Sequence, residues 1–218
     1  MSGGAVSPVQ VAAFDVDGTL TVRDCVRPFL QRVGGRRGLL LAVLRRPVAS
    51  LVGAARRDRD RLKEVVVGGV MRGRSVAEVT ALGESFAKEV YASWLRSDTL
   101  ARLRWHQHAG HRVVLVSASL GPYLHPLGQS LGVDGVLCAE PRREGDGVRY
   151  ADGLDGPNCR RAEKVRRLDA WLDDAGAAPA FVWAYGDSSG DTELLARADR
   201  PLWVKGVAVP ASPEEGAP

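Results

Sequence analysis

The sequence predicts an α/β protein with a doubly wound parallel sheet of about five strands and an inserted all-helical cap. Two observations lead to this prediction. Short apolar runs of strand length alternate with helical patterns at the start of the chain and again from residue 97 onward. Between them, residues 24–96 carry helical patterns without a convincing strand. We therefore expect a core of residues 1–23 and 97–218, interrupted by a cap of residues 24–96.

The first strand follows a small, polar lead-in of residues 1–8, which we expect to be disordered. It covers Val9 to Phe14, a nearly continuous apolar run typical of a strand buried on both faces. The strand ends in Asp15 and Asp17. Two carboxylates at the end of a buried strand are costly unless a cation lies between them, and Mg²⁺ prefers such oxygen ligands. The alternative is that both aspartates only cap the helix that follows.

The cap region is predicted to be helical throughout. Its patterns cover Val26–Val33, Arg36–Arg57 with a break near Pro47, Asp58–Met71 and Val76–Leu95. The last pattern opens with Ser75 and Glu78 at the spacing of a capping box.

The second part of the core alternates strands and helices. Predicted strands are His111–Val116, Gly135–Cys138, Pro179–Tyr185 and Pro201–Val204, and predicted helices are Ser97–Ala109, Tyr123–Leu131, Asn158–Ala175 and Thr192–Ala198. A turn at Glu144–Gly147 predicts a small hairpin between the second and third of these helices. From Val209 the chain is rich in Pro, Ala and Glu, and we expect a loose tail.

Composition indicates an ordinary soluble globular protein. Of the 218 residues, 45% are apolar and 26% are charged, which suits one domain with a substantial insertion. The three cysteines, Cys25, Cys138 and Cys159, are odd in number and scattered, so we expect no disulfide framework and a cytoplasmic location. We see no secretory signal, and the longest apolar stretches fall short of the roughly 18 residues that a membrane span needs.

Charge is distributed unevenly along the chain. The net charge is +4, yet residues 23–74 carry 14 Arg and Lys against 4 Asp and Glu. Such a basic segment suggests an anionic ligand or surface nearby, including peripheral contact with a membrane through the basic, apolar run Arg36–Arg57. A solvated, arginine-rich helical face is the alternative. No nucleic-acid partner is expected, and the oligomeric state stays open.

Polar side chains follow three predicted strands at their carboxyl ends. They are Asp15 and Asp17 after the first strand, Ser117 after the second, and Asp187 and Asp191 after the strand that ends at Tyr185. Ligands of open α/β sheets bind at this edge, where the strand order reverses. Four carboxylates gathered there would repel one another without a metal, and Lys164 supplies a further cation. The alternatives are that Ser117 caps a helix and that Lys164 faces solvent.

Four segments in this order resemble the motifs of the haloacid dehalogenase superfamily of phosphohydrolases. They are Phe14–Thr21 (FDVDGTLT), Val116–Ser119 (VSAS), Lys164, and Gly186–Asp191 (GDSSGD). A helical cap between the first and second motifs is similar to the phosphoserine phosphatase branch, subfamily IB. The resemblance implies a Rossmann-like core and a Mg²⁺-dependent phosphatase that acts on a small-molecule phosphate ester.

The resemblance also implies a role for each motif residue. Asp15 would be the nucleophile that forms an aspartyl-phosphate, and Asp17 the general acid and base. Mg²⁺ would be held by the Asp15 side chain, the Asp17 backbone carbonyl and Asp187, with support from Asp191. The phosphoryl oxygens would be bound by the hydroxyls of Thr19 and Ser117, by Lys164 and by backbone amides at Gly18.

Two departures from the phosphoserine phosphatase pattern leave the substrate open. Asp24 stands where those enzymes carry a glutamate that binds the substrate amine, and Gly190 stands where they carry an asparagine. A cap arginine binds the serine carboxylate in that branch, and this sequence does not single one out. Candidate substrates are therefore phosphoserine, another amino-alcohol phosphate such as histidinol phosphate, and a lipid phosphate.

Two further functions stay open as well. The enzyme could transfer phosphate to an acceptor other than water, or the chain could be a non-catalytic module that binds through its basic cap. We interpret Ser119, Cys25 and the histidines at 106, 108 and 111 as structural residues.

Overall fold

A computed structural model describes residues 8–44, 59–178 and 180–213 of the chain. The strands are β1 (Val9–Phe14), β2 (Arg112–Leu120), β3 (Gly135–Ala139), β4 (Pro141–Arg143), β5 (Tyr150–Leu154), β6 (Ala180–Gly186) and β7 (Arg200–Trp203). The helices are α1 (Val26–Leu44), α2 (Arg59–Met71), α3 (Val76–Ser93), α4 (Ser97–His108), α5 (Gly121–Leu131), α6 (Ala162–Asp174) and α7 (Thr192–Arg197).

Five strands form one parallel sheet in the order β3-β2-β1-β6-β7. The chain runs outward from β1 through β2 to β3, and then returns to the other side of β1 for β6 and β7. The strand order therefore reverses at β1, the position at which open α/β sheets bind their ligands. The predicted five-stranded, doubly wound α/β fold is confirmed.

Both faces of the sheet are covered by helices because the strands are apolar on both sides. Alternate residues of β1 point to opposite faces, so Ala12 and Phe14 join one apolar cluster while Val11 and Ala13 join the other. Helices α4 and α5 contribute to the first cluster, and α6 and α7 to the second. The sheet thus lies between two packed layers, and the loops after the parallel neighbours β1 and β6 leave it at the same edge.

Helices α1 and α3 pack on α5 of the core through one shared set of aromatic residues. Phe29 of α1 and Phe86 of α3 both contact Tyr123 of α5, with ring centroids 4.9 and 5.3 Å apart. Close approach of α3 to α5 depends on Gly83, because a Cβ there would overlap the backbone carbonyl of Pro122. The antiparallel pair of β4 and β5, which confirms the predicted hairpin, packs against α2.

Several boundaries differ from the predicted ones. Strand β2 continues to Leu120, because Ser117 to Ser119 stay extended where the sequence predicts a strand end at Val116. Helix α1 extends over the predicted break after Val33 and is instead kinked at Gly35, whose φ of 67° lies in the left-handed region. Helix α6 begins at Ala162, later than predicted.

Parts of five predicted segments lie outside the described residues, two of them by only their first residue, at positions 58 and 179, and the other three by more. These three are the lead-in up to residue 7, residues 45–57 of the second cap helix, and the end of the tail from residue 214. Among the helices that the structure describes, none combines the length and the apolar character needed to cross a membrane.

Candidate active site

The centre of the candidate site is a buried lysine shared by two carboxylates. Lys164 Nζ lies 2.6 Å from Asp15 Oδ1 and 2.6 Å from Asp191 Oδ1, and all three side chains are buried. Asp15 directly follows β1, Asp191 precedes α7, and Lys164 lies in the first turn of α6. The fold therefore brings three of the predicted site residues together at the carboxyl edge of the sheet.

A third carboxylate, Asp187, completes an acidic cluster. One oxygen each from Asp15, Asp187 and Asp191 lies within 4.8 Å of the others. Asp187 Oδ1 is buried and has no hydrogen-bond partner among the described residues. Asp187 fits against Gly18, where a Cβ would overlap its carboxylate.

The donor set of this cluster fits a divalent cation such as Mg²⁺. Three ionised carboxylates and one ammonium carry a net charge of −2, which a divalent cation would neutralise. The unpartnered oxygen of Asp187 supplies a free ligand atom for such an ion. Both oxygens of Asp191 already accept hydrogen bonds, from Lys164 and from Ser188, so Asp191 is suited to a supporting role.

Burial dominates the electrostatics of the cluster. Burial, together with the charges of Asp191 and Asp17, raises the pKa of Asp15 to about 7, although Lys164 acts in the opposite direction. For Lys164, burial lowers the pKa, but the two carboxylates outweigh this and raise it above its usual value. The lysine therefore stays charged while it holds Asp15 in place.

Asp17 is oriented away from the acidic cluster by two hydrogen bonds. Ser119 Oγ donates to Asp17 Oδ2 at 2.7 Å, and the backbone N–H of Cys25 donates to Oδ1 at 2.8 Å. Burial and the nearby charge of Asp24 raise the pKa of Asp17, which favours a protonated, acid form. The side chain of Asp17 lines a large cavity. The role of the Asp17 backbone carbonyl as a metal ligand stays a prediction.

The contact with Asp17 adds a place in the candidate site to the structural role that the sequence analysis assigned to Ser119. Ser119 lies 102 positions from Asp17, so nothing in the local sequence indicates the contact. The available signal was the alternation of Ser117 and Ser119, which places both hydroxyls on one side of β2. Extension of β2 beyond Val116 is what brings Ser119 to Asp17.

The two predicted phosphate-binding hydroxyls are both buried. Thr19 Oγ1 has no hydrogen-bond partner in the described part of the chain. Ser117 Oγ accepts a bond from the backbone N–H of Ser119 at 3.2 Å, an interaction that does not use the serine's own proton. Both hydroxyls are thus able to donate to a further acceptor.

A cavity of about 860 Å³ opens beside Asp17, between the core and helices α1 and α2. It is lined by Asp17, Asp24, Val26, Arg27, Leu30, Gln31, Arg36, Leu39, Leu40, Asp60, Leu62, Lys63, Val66, Ala118, Asn158 and Arg160. The predicted substrate residue Asp24 is among them, but its Oδ2 also accepts the backbone N–H of Arg27 at 3.1 Å. Asp24 therefore caps α1, a structural role that was not predicted for it.

Lys63 of α2 lines this cavity and contacts the second motif, Val116–Ser119. Its Nζ donates to the backbone carbonyl of Ala118 and, at 2.8 Å, to Asn158 Oδ1. Asn158 in turn donates to Asp60 Oδ1 at 2.6 Å. Burial lowers the pKa of Lys63 to about 8. The sequence analysis expected an arginine in this part of the chain and missed Lys63.

Fold and site together define an α/β protein with an acidic, metal-compatible centre at the switch point of its sheet. A family model described as haloacid dehalogenase-like hydrolase matches residues 12–196. Protein CicA of Caulobacter vibrioides (strain NA1000 / CB15N) is 39% identical over 189 residues, which cover 87% of this chain and 83% of that protein. The chain belongs to the haloacid dehalogenase-like hydrolases, so the predicted family and the prediction of a hydrolytic enzyme are confirmed.

Solved structures support the same fold. A protein of unknown function from Bordetella pertussis Tohama I matches with a TM-score of 0.64 at 24% identity, covering 87% of both chains. A substrate-bound phosphoserine phosphatase complex matches with a TM-score of 0.61 at 13% identity, covering 88% of this chain and 84% of the other. The predicted likeness to the phosphoserine phosphatase branch is thereby confirmed at the level of the fold.

Proposed function

We propose that this protein is a Mg²⁺-dependent phosphomonoesterase that hydrolyses a small phosphate ester through an aspartyl-phosphate on Asp15. The observation that supports it best is the buried Lys164 bridging Asp15 and Asp191 beside the unpartnered Asp187 oxygen. Lys164 places a positive charge beside the Asp15 carboxylate, and the divalent cation that the donor set fits would add to it, which offsets the repulsion between a carboxylate and a phosphate dianion. Likeness to a phosphoserine phosphatase fold supports the same reaction class.

In the first step, an Asp15 carboxylate oxygen attacks phosphorus in line with the ester bond. The new bond is an acyl phosphate, and the bond from phosphorus to the ester oxygen breaks. Asp17, held by Ser119 and Cys25, gives its proton to the leaving alkoxide. Lys164 stabilises the charge on the transferred group, and the hydroxyls of Thr19 and Ser117 donate to its oxygens.

In the second step, water attacks the same phosphorus atom. Asp17, now ionised, accepts a proton from that water, and inorganic phosphate leaves as the Asp15 carboxylate is restored. When bound, Mg²⁺ would be held by Asp15, Asp187 and the Asp17 carbonyl, and would neutralise charge on the phosphoryl oxygens.

The identity of the ester depends on the residues around the cavity. Gly190 leaves room that Arg160 fills, since a Cβ there would lie 3.1 Å from Arg160 Nε. One carboxylate oxygen of Asp24 caps α1, so this side chain is not free to serve a substrate amine alone. Both features favour a substrate other than phosphoserine, while histidinol phosphate and lipid phosphates stay candidates.

The test is phosphate release from a panel of phosphate esters, with Mg²⁺ or with EDTA. Phosphoserine, histidinol phosphate and a lysophosphatidic acid form the minimal panel. We expect turnover that requires the metal and is abolished in Asp15→Asn. Failure of folded, Mg²⁺-supplied protein to hydrolyse any ester would contradict the proposal and would favour a binding module that acts through its basic cap.

A further inference from the structure

Six of the eleven residues by which helices α1 and α2 line the cavity beside Asp17 are aliphatic. They are Val26, Leu30, Leu39 and Leu40 of α1 together with Leu62 and Val66 of α2. We call these six residues the aliphatic wall. Leu30 is buried at 3% exposure, whereas Leu40 is 60% exposed, so the wall extends from the protein interior to the surface.

The aliphatic wall is continuous with the catalytic residues. Helix α1 begins beside Asp17, because Cys25 N, just before the helix, donates to that carboxylate. The kink at Gly35 then turns the helix, so that Leu39 and Leu40 on its second half line the same cavity as Asp17. A molecule with its reacting end at Asp17 would therefore lie along aliphatic side chains as it leaves the site.

Two cationic side chains of the cavity lie close to the strand ends, one on α2 and one on the core side, while α1 and α2 also contribute the polar lining residues Arg27, Gln31, Arg36 and Asp60. Lys63 contacts Ala118 and Asn158, while Arg160 lies beside Gly190 of the fourth motif. The charged end of a substrate would thus contact the cations near the strand ends, and an apolar end would contact the aliphatic wall. A cavity of about 860 Å³ also lies near the upper end of the range for small-molecule sites, about 300–1,000 Å³.

We propose that the aliphatic wall is a binding subsite for a hydrocarbon chain, and that the physiological substrate is a phosphate monoester of an alcohol that carries one. This inference rests on the proposed function. A short, polar alcohol would leave the wall in water and gain nothing from it, whereas each buried methylene group adds to binding. The leaving alcohol is the part of the ester next to Asp17, so it is the part that reaches the wall.

The test is kcat/KM for a series of straight-chain alkyl phosphates with two to ten carbons, below the concentrations at which they aggregate. We expect kcat/KM to rise about fourfold for each added methylene until the subsite is filled. A polar amino-alcohol phosphate that is as small as the short alkyl phosphates should have a lower kcat/KM than the long alkyl phosphates.

Two neighbouring leucines provide a matched pair of variants. Leu40 lines the cavity, whereas Leu41 is also exposed, at 46%, and does not line it. Leu40→Ser should reduce the dependence of kcat/KM on chain length, and Leu41→Ser should retain the full dependence. Equal effects of both variants would mean that the chain does not occupy the aliphatic wall.

The outcomes separate this inference from the proposed function. Mg²⁺-dependent hydrolysis that is flat or falls with chain length would overturn the hydrocarbon subsite and leave the phosphatase proposal intact. If no member is hydrolysed, the ester panel described above still tests the phosphatase proposal, and calorimetry of decyl and ethyl phosphate binding tests the hydrocarbon subsite. Tighter binding of decyl phosphate that Leu40→Ser weakens would support the subsite, and equal binding would overturn it.

Discussion

The two walls of the cavity beside Asp17 are built on different physical principles. We call Asp17, together with the adjoining Asp15, Lys164, Asp187 and Asp191, the core wall. Here a buried lysine lies between two carboxylates, and Asp187 keeps one oxygen without a partner among the described residues. On the wall formed by α1 and α2, six of the eleven lining residues are aliphatic, and they extend to exposed positions such as Leu40. Under the two proposals above, the core wall carries out the reaction, and the aliphatic wall selects the ester that is brought to it.

This difference follows from the elements that carry each wall. The core wall stands on short loops after buried parallel strands, whose positions are fixed by the sheet register on both sides of β1. The other wall stands on a helix that is kinked at Gly35 and packs on the core through aromatic contacts. We therefore expect core-wall variants to change kcat and cavity-wall variants to change KM and substrate preference.

The largest loss of activity is expected when the proposed nucleophile, Asp15, is replaced. Asp15→Asn removes the attacking carboxylate but keeps the size of the side chain, so kcat should fall by about 10⁴-fold or more. The measurement is steady-state phosphate release with Mg²⁺. Asp155→Asn, at an exposed aspartate away from the cluster, is the control and should act like the wild type. Residual activity within tenfold of the wild type would exclude Asp15 as the nucleophile.

A smaller effect is expected for the residue that positions Asp17. Ser119→Ala removes a hydrogen bond to a carboxylate, and kcat should fall about 10- to 100-fold. Since that bond lowers the pKa of Asp17, its loss should raise the pKa and move the alkaline limb of the kcat profile to higher pH. Ser130→Ala, at an exposed serine of α5, is the control. A loss of kcat without a shifted limb would indicate a structural role alone.

The charge of Lys63, which lines the cavity, should affect the pH dependence of kcat/KM. Because burial lowers the pKa of Lys63 to about 8, the wild type should lose kcat/KM as the pH rises through 8. Lys63→Arg should keep activity to higher pH, and Lys63→Met should lower kcat/KM about tenfold at pH 7. Lys88→Met, at an exposed lysine of α3, serves as the control. Identical alkaline limbs in the wild type and Lys63→Arg would show that Lys63 does not bind the substrate.

The smallest effect on activity, with a clear effect on stability, is expected at His106. This side chain is fully buried, with Nε2 2.7 Å from Tyr185 Oη and Nδ1 2.8 Å from His111 Nδ1. Burial, with His111 and Arg102 nearby, lowers its pKa from 6.5 to about 3. The unfolded state therefore binds the proton first as the pH falls. This group's contribution to stability is complete above pH 6.5 and is lost toward pH 3, at about 1.4 kcal/mol per pH unit.

The check is urea unfolding of the wild type and His106→Gln between pH 8 and pH 4. The variant should be less stable at pH 8 by about 1–3 kcal/mol, because the buried hydrogen bonds of His106 with Tyr185 and His111 are disturbed, and its stability should fall less steeply with acid. His108→Gln, at an exposed histidine, should retain the wild-type slope. Parallel slopes for the wild type and His106→Gln would mean that His106 does not govern acid stability.

The core wall could be predicted from the sequence to a large extent, because each of its residues directly follows an apolar strand or opens a helix. Asp15, Asp187 and Asp191 meet wherever a parallel sheet reverses its strand order at β1. The contacts of Ser119 and Lys63 could not be predicted in this way. Lys63 is 95 positions from Asn158, and only the packing of α2 on the core brings the two together.

The most direct measurement of the central claim is the steric course of hydrolysis at phosphorus. A phosphate ester made chiral with oxygen isotopes would be hydrolysed with Mg²⁺, and the configuration of the product phosphate determined. Two successive in-line displacements, at Asp15 and then at water, predict overall retention of configuration. Inversion would mean that water attacks the ester directly, and would contradict the aspartyl-phosphate.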